Sequence, residues 1–275
     1  MIFNLDSTFQ PLGENQVTFK SFTFSGGEPH IKISSDLTNV EKVTITTRVT
    51  SFNDMGLLLC AVDAIKRCGV KMIDLFIPYF PGARQDRVMI SGEPLTVKVY
   101  ADLLNSLNLN EITVFDPHSE VTPAVLNDCK VVTNYKFIEK VIEKIGSEVL
   151  LISPDGGALK KIYKVSEYLG GVAVVECSKK RNVTNGKLEG FKVYEEDLGG
   201  ENCLIVDDIC DGGGTFMGLA DELKKKNAGD LYLAVSHGIF SKGIEHLREK
   251  FTKVFTTDSF KDVEDVQQIK LETLM

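Results

Sequence analysis

The sequence predicts an α/β protein of two domains, each built on a largely parallel sheet flanked by helices. Two observations carry this prediction. Short, almost wholly apolar runs alternate with helical segments of crossover length, a pattern typical of parallel strands covered on both faces. The length of 275 residues suffices for two domains of ordinary size. We place the boundary where a helix ends at Gly146 and a new strand begins, which gives domains of residues 1–145 and 146–275.

The first fifty residues lack helical periodicity and alternate apolar with polar side chains. This alternation predicts several antiparallel strands, around Val17–Phe19, Phe22–Phe24, Ile31–Ile33 and Val43–Ile45.

A helical period begins near Asp54. The stretch GLLLCAVDAIKRCG predicts an amphipathic helix with Asn53 or Asp54 as its N-cap and Gly69 just beyond its end. KMIDLFIP and EITVFD predict buried strands, and PLTVKVYADLLNSL between them predicts a helix with Pro94 at its first position. KFIEKVIEKIG predicts the helix that ends at Gly146 and closes the first domain.

The second half follows the same order of elements. EVLLIS, GVAVVEC, NCLIVDD and DLYLAVS predict four buried strands, separated by helical or loop segments long enough for crossovers. A helix, TFMGLADELKKK, follows the third of these strands after a run of glycines.

Composition narrows the class of protein. Apolar residues make up 43% and charged residues 25% of the chain, which is ordinary for a globular protein. The net charge of −8 argues against a nucleic-acid partner, and no apolar run approaches the length of a membrane span. The start MIFNLDSTFQ has no signal-peptide pattern, and the 6 cysteines form no C-x-x-C pair. We therefore expect a soluble cytoplasmic protein with reduced thiols and no membrane partner.

Polar chemistry follows the predicted strands where each strand ends. The segments are PGARQDR, DPHSE, PDGGALKK, DDICDGGGTF and SHGIFS. Ligands of open parallel sheets bind at the carboxyl ends of the strands, so these segments are the candidate site.

The stretch LIVDDICDGGGTF combines two kinds of binding group. Glycines followed by a helix start favour an anion, most naturally a phosphate, because backbone N–H groups and the helix dipole point to one place. The paired carboxylates Asp207 and Asp208 only accept hydrogen bonds, so they suit sugar hydroxyls or a hydrated Mg²⁺. A ribose 5-phosphate unit satisfies both halves. The structural alternative is a capped strand-to-helix turn with solvated acids.

This stretch resembles the phosphoribosyl-pyrophosphate signature shared by phosphoribosyltransferases and ribose-phosphate pyrophosphokinases. The other segments resemble the pyrophosphokinases, in the order of that family: FSGGE, GARQDR, FDPHSE, SPDGGALKK, KKR and SHGIFS. Taken singly, each motif has a structural explanation. KKR usually lies on a solvated face, PDGG forms a turn, and His118 could as easily be a hydrogen-bonded structural histidine. Their ordered co-occurrence identifies the chain as a member of the family, whose fold pairs two phosphoribosyltransferase-like domains.

The resemblance implies transfer of the β,γ-pyrophosphoryl group of ATP to the anomeric hydroxyl of ribose 5-phosphate, with Mg²⁺ as cofactor. Lys179 and Arg181 would be the catalytic cations, on a mobile loop that meets the charge as it develops. The implied ATP-binding residues are Phe24, Glu28, Arg84, Gln85, Asp86 and His118. The implied ribose-phosphate residues are Asp155, Asp207, Asp208, Asp211, Gly212, Gly213, Gly214 and Thr215. The implied metal ligands are His118, Asp155 and Asp116.

The sequence departs from the family pattern in three places. It lacks the opening strand with a G-N-[ST] start and the helix after it, and it is shorter at the C-terminus; both regions serve oligomer contacts and regulation in the family. A homo-oligomer, dimer or larger, is still expected. Gly26 stands where the family usually has Asp or Asn, and Gly212 stands where the phosphate turn usually has Ser or Thr.

Gly212 opens space beside the 5-phosphate, so a larger acceptor with a group attached to that phosphate is an alternative. ADP-ribose has such a phosphate and the same anomeric hydroxyl, and compact phage-type relatives use it in rebuilding NAD. A phosphoribosyltransferase or a non-catalytic regulatory homologue is a further alternative. Phosphoribosyltransferases lack GARQDR, FDPHSE and the K-x-R loop, which this chain has. Non-catalytic homologues tend to lose the loop cations and acids that this chain retains.

Overall fold

The structure, a computed structural model, describes residues 1–181 and 188–275, with the side chains of all of these except 180, 181, 188 and 189. The chain divides into two compact units. Unit 1 holds residues 1–133 with 270–273 and 275, and unit 2 holds residues 134–269 and 274. The predicted α/β fold of two domains with largely parallel sheets is confirmed.

Unit 1 combines a parallel sheet with a separate hairpin. Its strands are β1 (Ile2–Asn4), β2 (Phe19–Thr23), β3 (Pro29–Ile33), β4 (Lys42–Thr46), β5 (Met72–Phe76), β6 (Glu111–Phe115) and β7 (Cys129–Val132). Its helices are α1 (Phe52–Arg67), α2 (Thr96–Asn105) and α3 (Val121–Val125). The sheet has the order β1-β4-β5-β6-β7 with every neighbouring pair parallel, while β2 and β3 pair antiparallel with each other.

Two expectations for the start of unit 1 are corrected. The predicted antiparallel pairing holds for β2 and β3, but β4 lies between β1 and β5 and is parallel to both, with Val43 and Ile45 fully buried. An opening strand is present after all: Ile2 is in register with Thr44. Its three residues carry too little alternation to be recognised in the sequence.

Helix α1 starts earlier than predicted, and its cap explains why. Ser51 is the N-cap, and its hydroxyl accepts the N–H of Asp54 while the Asp54 carboxylate accepts the N–H of Ser51, a reciprocal capping box. Asp54 is thus the third helical residue and not the cap. Gly69, with φ +93°, follows the helix as predicted.

Helix α2 starts at Thr96, after the predicted Pro94, because Leu95 has non-helical backbone angles. The N–H of Val97 donates to the carbonyl of Gln85 at 3.4 Å, which ties the helix start to the segment GARQDR.

Unit 2 contains the larger sheet. Its strands are β8 (Leu150–Ser153), β9 (Val174–Arg181), β10 (Leu188–Val193), β11 (Cys203–Cys210), β12 (Leu231–Gly238), β13 (Lys253–Thr257) and β14 (Gln267–Ile269). Its helices are α4 (Tyr135–Ile145), α5 (Leu159–Tyr168), α6 (Gly214–Lys225) and α7 (Glu245–Arg248), and a 3₁₀ turn, Leu271–Thr273, follows β14 and groups with unit 1. The order is β10-β9-β8-β11-β12-β13-β14, parallel except between β10 and β9.

The structure moves the domain boundary from residue 145 to the Thr133–Asn134 junction, because α4 packs within unit 2. The ring of Tyr135 lies 5.1 Å from that of Tyr168, and the ammonium of Lys253 donates to the carbonyl of Lys144 at 3.2 Å. The helix ends as predicted at Gly146, whose φ of +75° is the left-handed conformation that glycine adopts easily.

Each unit buries a core of its own between its sheet and helices. In unit 1, Leu58, Val62 and Ile65 of α1 are fully buried, and in unit 2 the apolar residues of β11 and β12 are buried along both strands. None of the described helices combines the length and apolar composition that a bilayer crossing requires.

Candidate active site

The segments that follow β5 and β6 form a cavity of about 580 Å³ within unit 1. Four predicted ATP-binding residues line it together, namely Arg84, Gln85, Asp86 and His118. The remaining lining residues are Arg87, Met89, Glu93, Pro94 and Thr96. The fold brings these groups together because parallel strands end at the same edge of their sheet.

Asp86 is the buried carboxylate of this cavity, 8% exposed. Burial opposes its charged form, but hydrogen bonds from Ser119 and Arg87, together with the charges of Arg87 and His118, hold the pKa of Asp86 below its ordinary value. The Arg87 Nε lies 3.1 Å from Oδ1 of Asp86. Asp86 therefore orders the cations of the cavity rather than offering a free charge to an anionic ligand.

Asp116, a predicted metal ligand, does not line this cavity. Its side chain is 3% exposed, its backbone has a φ of +41°, and its N–H donates to the carbonyl of Val132 at 2.8 Å. Of the predicted D-x-H pair, only His118 lines the cavity.

Phe24 and Glu28, predicted to contact adenine, lie in the turn between β2 and β3. The ring of Phe24 is 52% exposed and lies 4.8 Å from the ring of Phe22 and 5.5 Å from that of His30. The carboxylate of Glu28 folds over Gly26, since a Cβ at Gly26 would meet Glu28 Oε2 at 2.5 Å. The missing side chain at Gly26 thus leaves room that Glu28 occupies.

In unit 2, β11 continues beyond the end of β8, and this offset creates the acidic site. The pairing of β11 with β8 covers residues 203–205 and stops at Ile205, whereas its pairing with β12 extends to Cys210. Asp207 and Asp208, which end the predicted strand NCLIVDD, therefore lie inside β11, because the strand continues to Cys210. Asp155 lies on the loop that follows β8. Burial raises the pKa of Asp207 well above its usual range, and the charges of Asp208 and Asp155 raise it further.

Asp155 connects this acidic group to Lys179. Its Oδ2 lies 2.6 Å from the Nζ of Lys179, and its Oδ1 accepts the N–H groups of Gly157 at 3.0 Å and Ala158 at 3.1 Å. Burial works against ionisation, yet the hydrogen bond and charge of Lys179, with the two backbone donors, hold the pKa of Asp155 below its ordinary value. The predicted catalytic cation and one of the predicted ribose-phosphate residues thus form one ion pair.

Lys179 lies on a strand rather than on the predicted loop. β9 runs through it and pairs antiparallel with β10, so that Lys179 faces Phe191 in the ladder. The sequence SKKRNVTNGK reads as a loop because it is polar, but the backbone ladder orders its first residues. Arg181 ends β9, and its side chain lies outside the described residues.

The phosphate turn, Asp211 to Thr215, links β11 to α6 as predicted. Gly213 is the N-cap of α6 with φ +72°, and the N–H groups of Gly214 and Thr215 in the first turn have no helical acceptor. Gly214 faces open space, since a Cβ there would meet nothing within 4 Å. A helix N-terminus with an open approach is suited to an anion.

Gly212 and Gly213 differ in what they require. A Cβ at Gly213 would lie 2.7 Å from Nε2 of His246 and 2.9 Å from Cδ2 of Leu247, and its φ also favours glycine. Gly212 lacks a left-handed φ, and the atoms nearest to a Cβ there would be those of the Lys242 stem, at 3.4 Å. The backbone therefore demands glycine at position 213 but not at 212.

Sequence reasoning missed three neighbours of the site: Arg87, Lys242 and His246. Arg87 ends the motif GARQDR, and its charge was a signal that could have been used. Lys242 and His246 lie just beyond SHGIFS, and only the folded segment brings them onto the phosphate turn.

No three His, Cys, Asp or Glu side chains in residues 1–181 and 188–275 lie together so as to hold a metal ion by themselves. One or two of the acids Asp155, Asp207 and Asp208 still fit as Mg²⁺ ligands, because a cation would relieve the repulsion that raises the pKa of Asp207. Mg²⁺ usually takes one or two protein carboxylates and completes its shell with water and substrate phosphates.

Two family models match the chain. One, described as the N-terminal domain of ribose phosphate pyrophosphokinase, matches residues 7–107. The other, described as the phosphoribosyl transferase domain, matches residues 133–272, which begins at the junction between the two units.

Curated relatives agree with these matches. The ribose-phosphate pyrophosphokinase of Mycoplasma genitalium is 32% identical over 237 residues, covering 84% of this chain and 69% of that protein. That of Thermococcus kodakarensis is 31% identical over 248 residues, covering 86% and 83%. The crystal structure of phosphoribosylpyrophosphate synthetase from Mycobacterium smegmatis has a TM-score of 0.84 at 22% identity, over 100% of this chain and 95% of that one, which shows a common fold.

Proposed function

Because this chain belongs to the ribose-phosphate pyrophosphokinase family, we propose that it transfers the β,γ-pyrophosphoryl group of Mg-ATP to the anomeric hydroxyl of ribose 5-phosphate. In this reaction the anomeric oxygen forms a bond to the β-phosphorus, and the bond from that phosphorus to the oxygen bridging it to the α-phosphorus breaks. AMP leaves, the hydroxyl loses its proton, and phosphoribosyl pyrophosphate is formed. The observation that carries the proposal is the continuity, within unit 2, of Lys179, Asp155, the paired acids and the phosphate turn.

The acceptor binds to unit 2. Its 5-phosphate takes the N–H groups at the start of α6, and its hydroxyls donate to the carboxylates of Asp207 and Asp208. The raised pKa of Asp207 supports this role, since hydroxyl donors and a nearby cation stabilise the charged form that burial disfavours. Binding of the acceptor with its metal would thus offset the electrostatic repulsion among the acids.

The nucleotide binds through residues of unit 1. Arg84 and Arg87 supply positive charge for its phosphates, with Gln85 and His118 as hydrogen-bonding groups in the same cavity. Phe24 offers an exposed aromatic face to the adenine, and Glu28 lies beside it in the same turn.

Negative charge develops during transfer on the bridging oxygen that leaves with AMP, so catalysis depends on positioning and charge neutralisation. In unit 2, Asp155 is the proposed ligand of a Mg²⁺ ion, which would neutralise phosphate oxygens when bound. In unit 1, His118 is a separate proposed metal ligand within the nucleotide cavity. The ammonium of Lys179, which pairs with Asp155 in this structure, would donate to the phosphate oxygens of the transferring group. Arg181 is proposed as the second cation. A homo-oligomer and a cytoplasmic location remain predictions.

ADP-ribose is the second candidate acceptor, and Gly212 is the observation that favours it. No left-handed φ requires glycine there, and the three atoms nearest to the position of a Cβ all belong to the flexible stem of Lys242. The stem of Lys242 borders the space that the glycine leaves, and movement of this flexible stem would admit a group attached to the 5-phosphate.

A competition assay tests both candidates. ATP is supplied with ribose 5-phosphate and ADP-ribose, singly and together, while AMP release and each pyrophosphorylated product are followed. Preference for ribose 5-phosphate supports the first candidate, and preference for ADP-ribose supports the second. Absence of AMP release with either acceptor would refute the proposed reaction.

A further inference from the structure

The segment that follows β12 continues the sheet ladder alongside the phosphate turn. The N–H groups of Ile239 and Phe240 donate to the carbonyl of Cys210 at 2.9 and 3.1 Å, and the N–H of Ser241 donates to the carbonyl of Asp211 at 3.1 Å. The pairing of β11 with β12 thus extends past both strands. The next residue on each side is Gly212 or Lys242, so the two become neighbours.

The stem of Lys242 packs against the turn at Gly212. Its Cδ and Cε both lie 3.4 Å from the position that a Cβ of Gly212 would occupy, and its Cγ lies at 3.7 Å. The side chain is exposed, and within the described ranges no carboxylate pairs with its ammonium. A cation with no carboxylate partner among the described residues therefore ends beside a turn whose N–H groups and helix dipole favour an anion.

His246 fixes this arrangement from the same segment. Its Nε2 lies 2.7 Å from the position of a Gly213 Cβ, and this nitrogen is buried without a hydrogen-bond partner among the described residues. Leu247 packs beside it on the same glycine. The residues at both ends of the segment thus contact consecutive glycines of the turn, which holds Lys242 in place.

We propose that Lys242 is a specificity-determining residue for the acceptor, with its ammonium binding phosphate oxygens of the ribose phosphate held in the turn. This inference rests on the proposed function. Gly212 offers the phosphate no hydroxyl, and Lys242 supplies a charged donor from the neighbouring segment instead. The shared ligand chemistry is a phosphate on the 5-position of a ribose. The flexible four-carbon stem can place the ammonium on that phosphate or on a second phosphate attached to it.

The test compares three single variants of the full chain. Lys242→Met removes the charge and keeps an unbranched stem, Lys242→Arg retains the charge, and Lys164→Met removes an exposed lysine on α5 as a control. Calorimetry gives the Kd of ribose 5-phosphate, ADP-ribose and inorganic phosphate for each protein. Steady-state kinetics gives the KM of the acceptor and of ATP separately.

We expect Lys242→Met to weaken acceptor binding about tenfold or more, the size of one charge-assisted hydrogen bond. Lys242→Arg should recover most of that loss, and the KM of ATP should stay unchanged in every variant. Weakening with all three ligands would assign the ammonium to the 5-phosphate. Weakening confined to ADP-ribose would assign it to the second phosphate.

Acceptor binding by Lys242→Met that equals that of Lys164→Met would overturn the inference, as would a wild type that binds none of the three ligands. Failure of the proposed reaction is recognised separately, by the absence of AMP release in a wild type that still binds the acceptor. In that case a weakened Lys242→Met would leave the phosphate-binding role intact.

Discussion

The ammonium of Lys179 lies 2.6 Å from Oδ2 of Asp155, and the other oxygen of the same carboxyl is held by two backbone N–H groups. The loop after β8 therefore fixes Asp155, and Asp155 in turn fixes the cation on β9. The side chains of Lys179 and Asp155 are 23% and 28% exposed, and the Asp155 carboxylate keeps its two backbone donors when the ammonium is removed, so we expect the pair to contribute modestly to folding. The geometry serves the site more than the fold.

Replacing Lys179 by Ala should therefore affect turnover rather than folding or acceptor binding. We expect kcat to fall by about a hundredfold or more, as when one donor to a transition state is removed. The Kd of the acceptor and the melting temperature should change little. The measurements are AMP release, calorimetry with the acceptor and thermal unfolding, with Lys164→Ala on α5 as the matched control. Near-normal turnover would remove Lys179 from the mechanism.

The same pair shows where sequence reasoning succeeds and where it stops. Fully apolar strands and polar strand ends follow from local pattern, so the α/β fold and the grouping of Arg84 with His118 could be predicted. Lys179 was assigned to a loop, because its strand is polar and is ordered by pairing with β10, which composition does not reveal. Strand β1 was missed for a similar reason, since three residues carry no period.

Contacts between segments that are distant in the chain also could not be predicted from the sequence. Gly212 and Lys242 meet because the ladder between β11 and β12 continues past both strands, and the number of residues by which it does so is set by tertiary hydrogen bonds. The motif SHGIFS identified the right segment but ended one residue before Lys242. Short motifs therefore locate the ends of strands, but they do not show which side chains converge there.

Asp207 should give the stability of the protein a distinct pH dependence. An acid whose pKa is raised by folding stabilises the folded state fully below its unfolded pKa, and that stabilisation is lost as pH rises through the folded pKa. Asp207→Asn removes this loss. We therefore expect the variant to melt at a higher temperature than the wild type near neutral pH, with the difference shrinking toward pH 4. Thermal unfolding at a series of pH values measures it.

Acceptor binding should move in the opposite direction in the same variant. An amide accepts fewer hydrogen bonds than a carboxylate and carries no charge for the metal, so Asp207→Asn should raise the acceptor KM. Glu148→Gln, an exposed substitution in unit 2, is the control and should alter neither property. An Asp207→Asn protein with an unchanged acceptor KM and an unchanged pH profile would contradict both assignments.

Chelation should show whether the metal binds together with the substrates or is a structural part of the folded protein. No described group of three ligating side chains is preassembled, and the site acids repel one another. We expect EDTA to abolish turnover and Mg²⁺ to restore it, while the melting temperature of the substrate-free protein stays the same. A large drop in melting temperature on chelation would instead indicate a structural metal and would refute the shared site.

The two neighbouring glycines of the phosphate turn provide the sharpest comparison. At Gly213 an added Cβ would lie 2.7 Å from His246 Nε2 and 2.9 Å from Leu247, on a backbone with φ +72°. Gly213→Ala must therefore strain or shift the turn, and we expect a loss of about 1–3 kcal/mol in unfolding free energy with weaker acceptor binding. Gly212→Ala, whose Cβ would have the flexible Lys242 stem as its nearest neighbour at 3.4 Å, should keep near-normal stability. Denaturant unfolding and acceptor Kd values for both variants decide the matter, because equal losses at the two positions would mean that backbone conformation does not explain the glycine run.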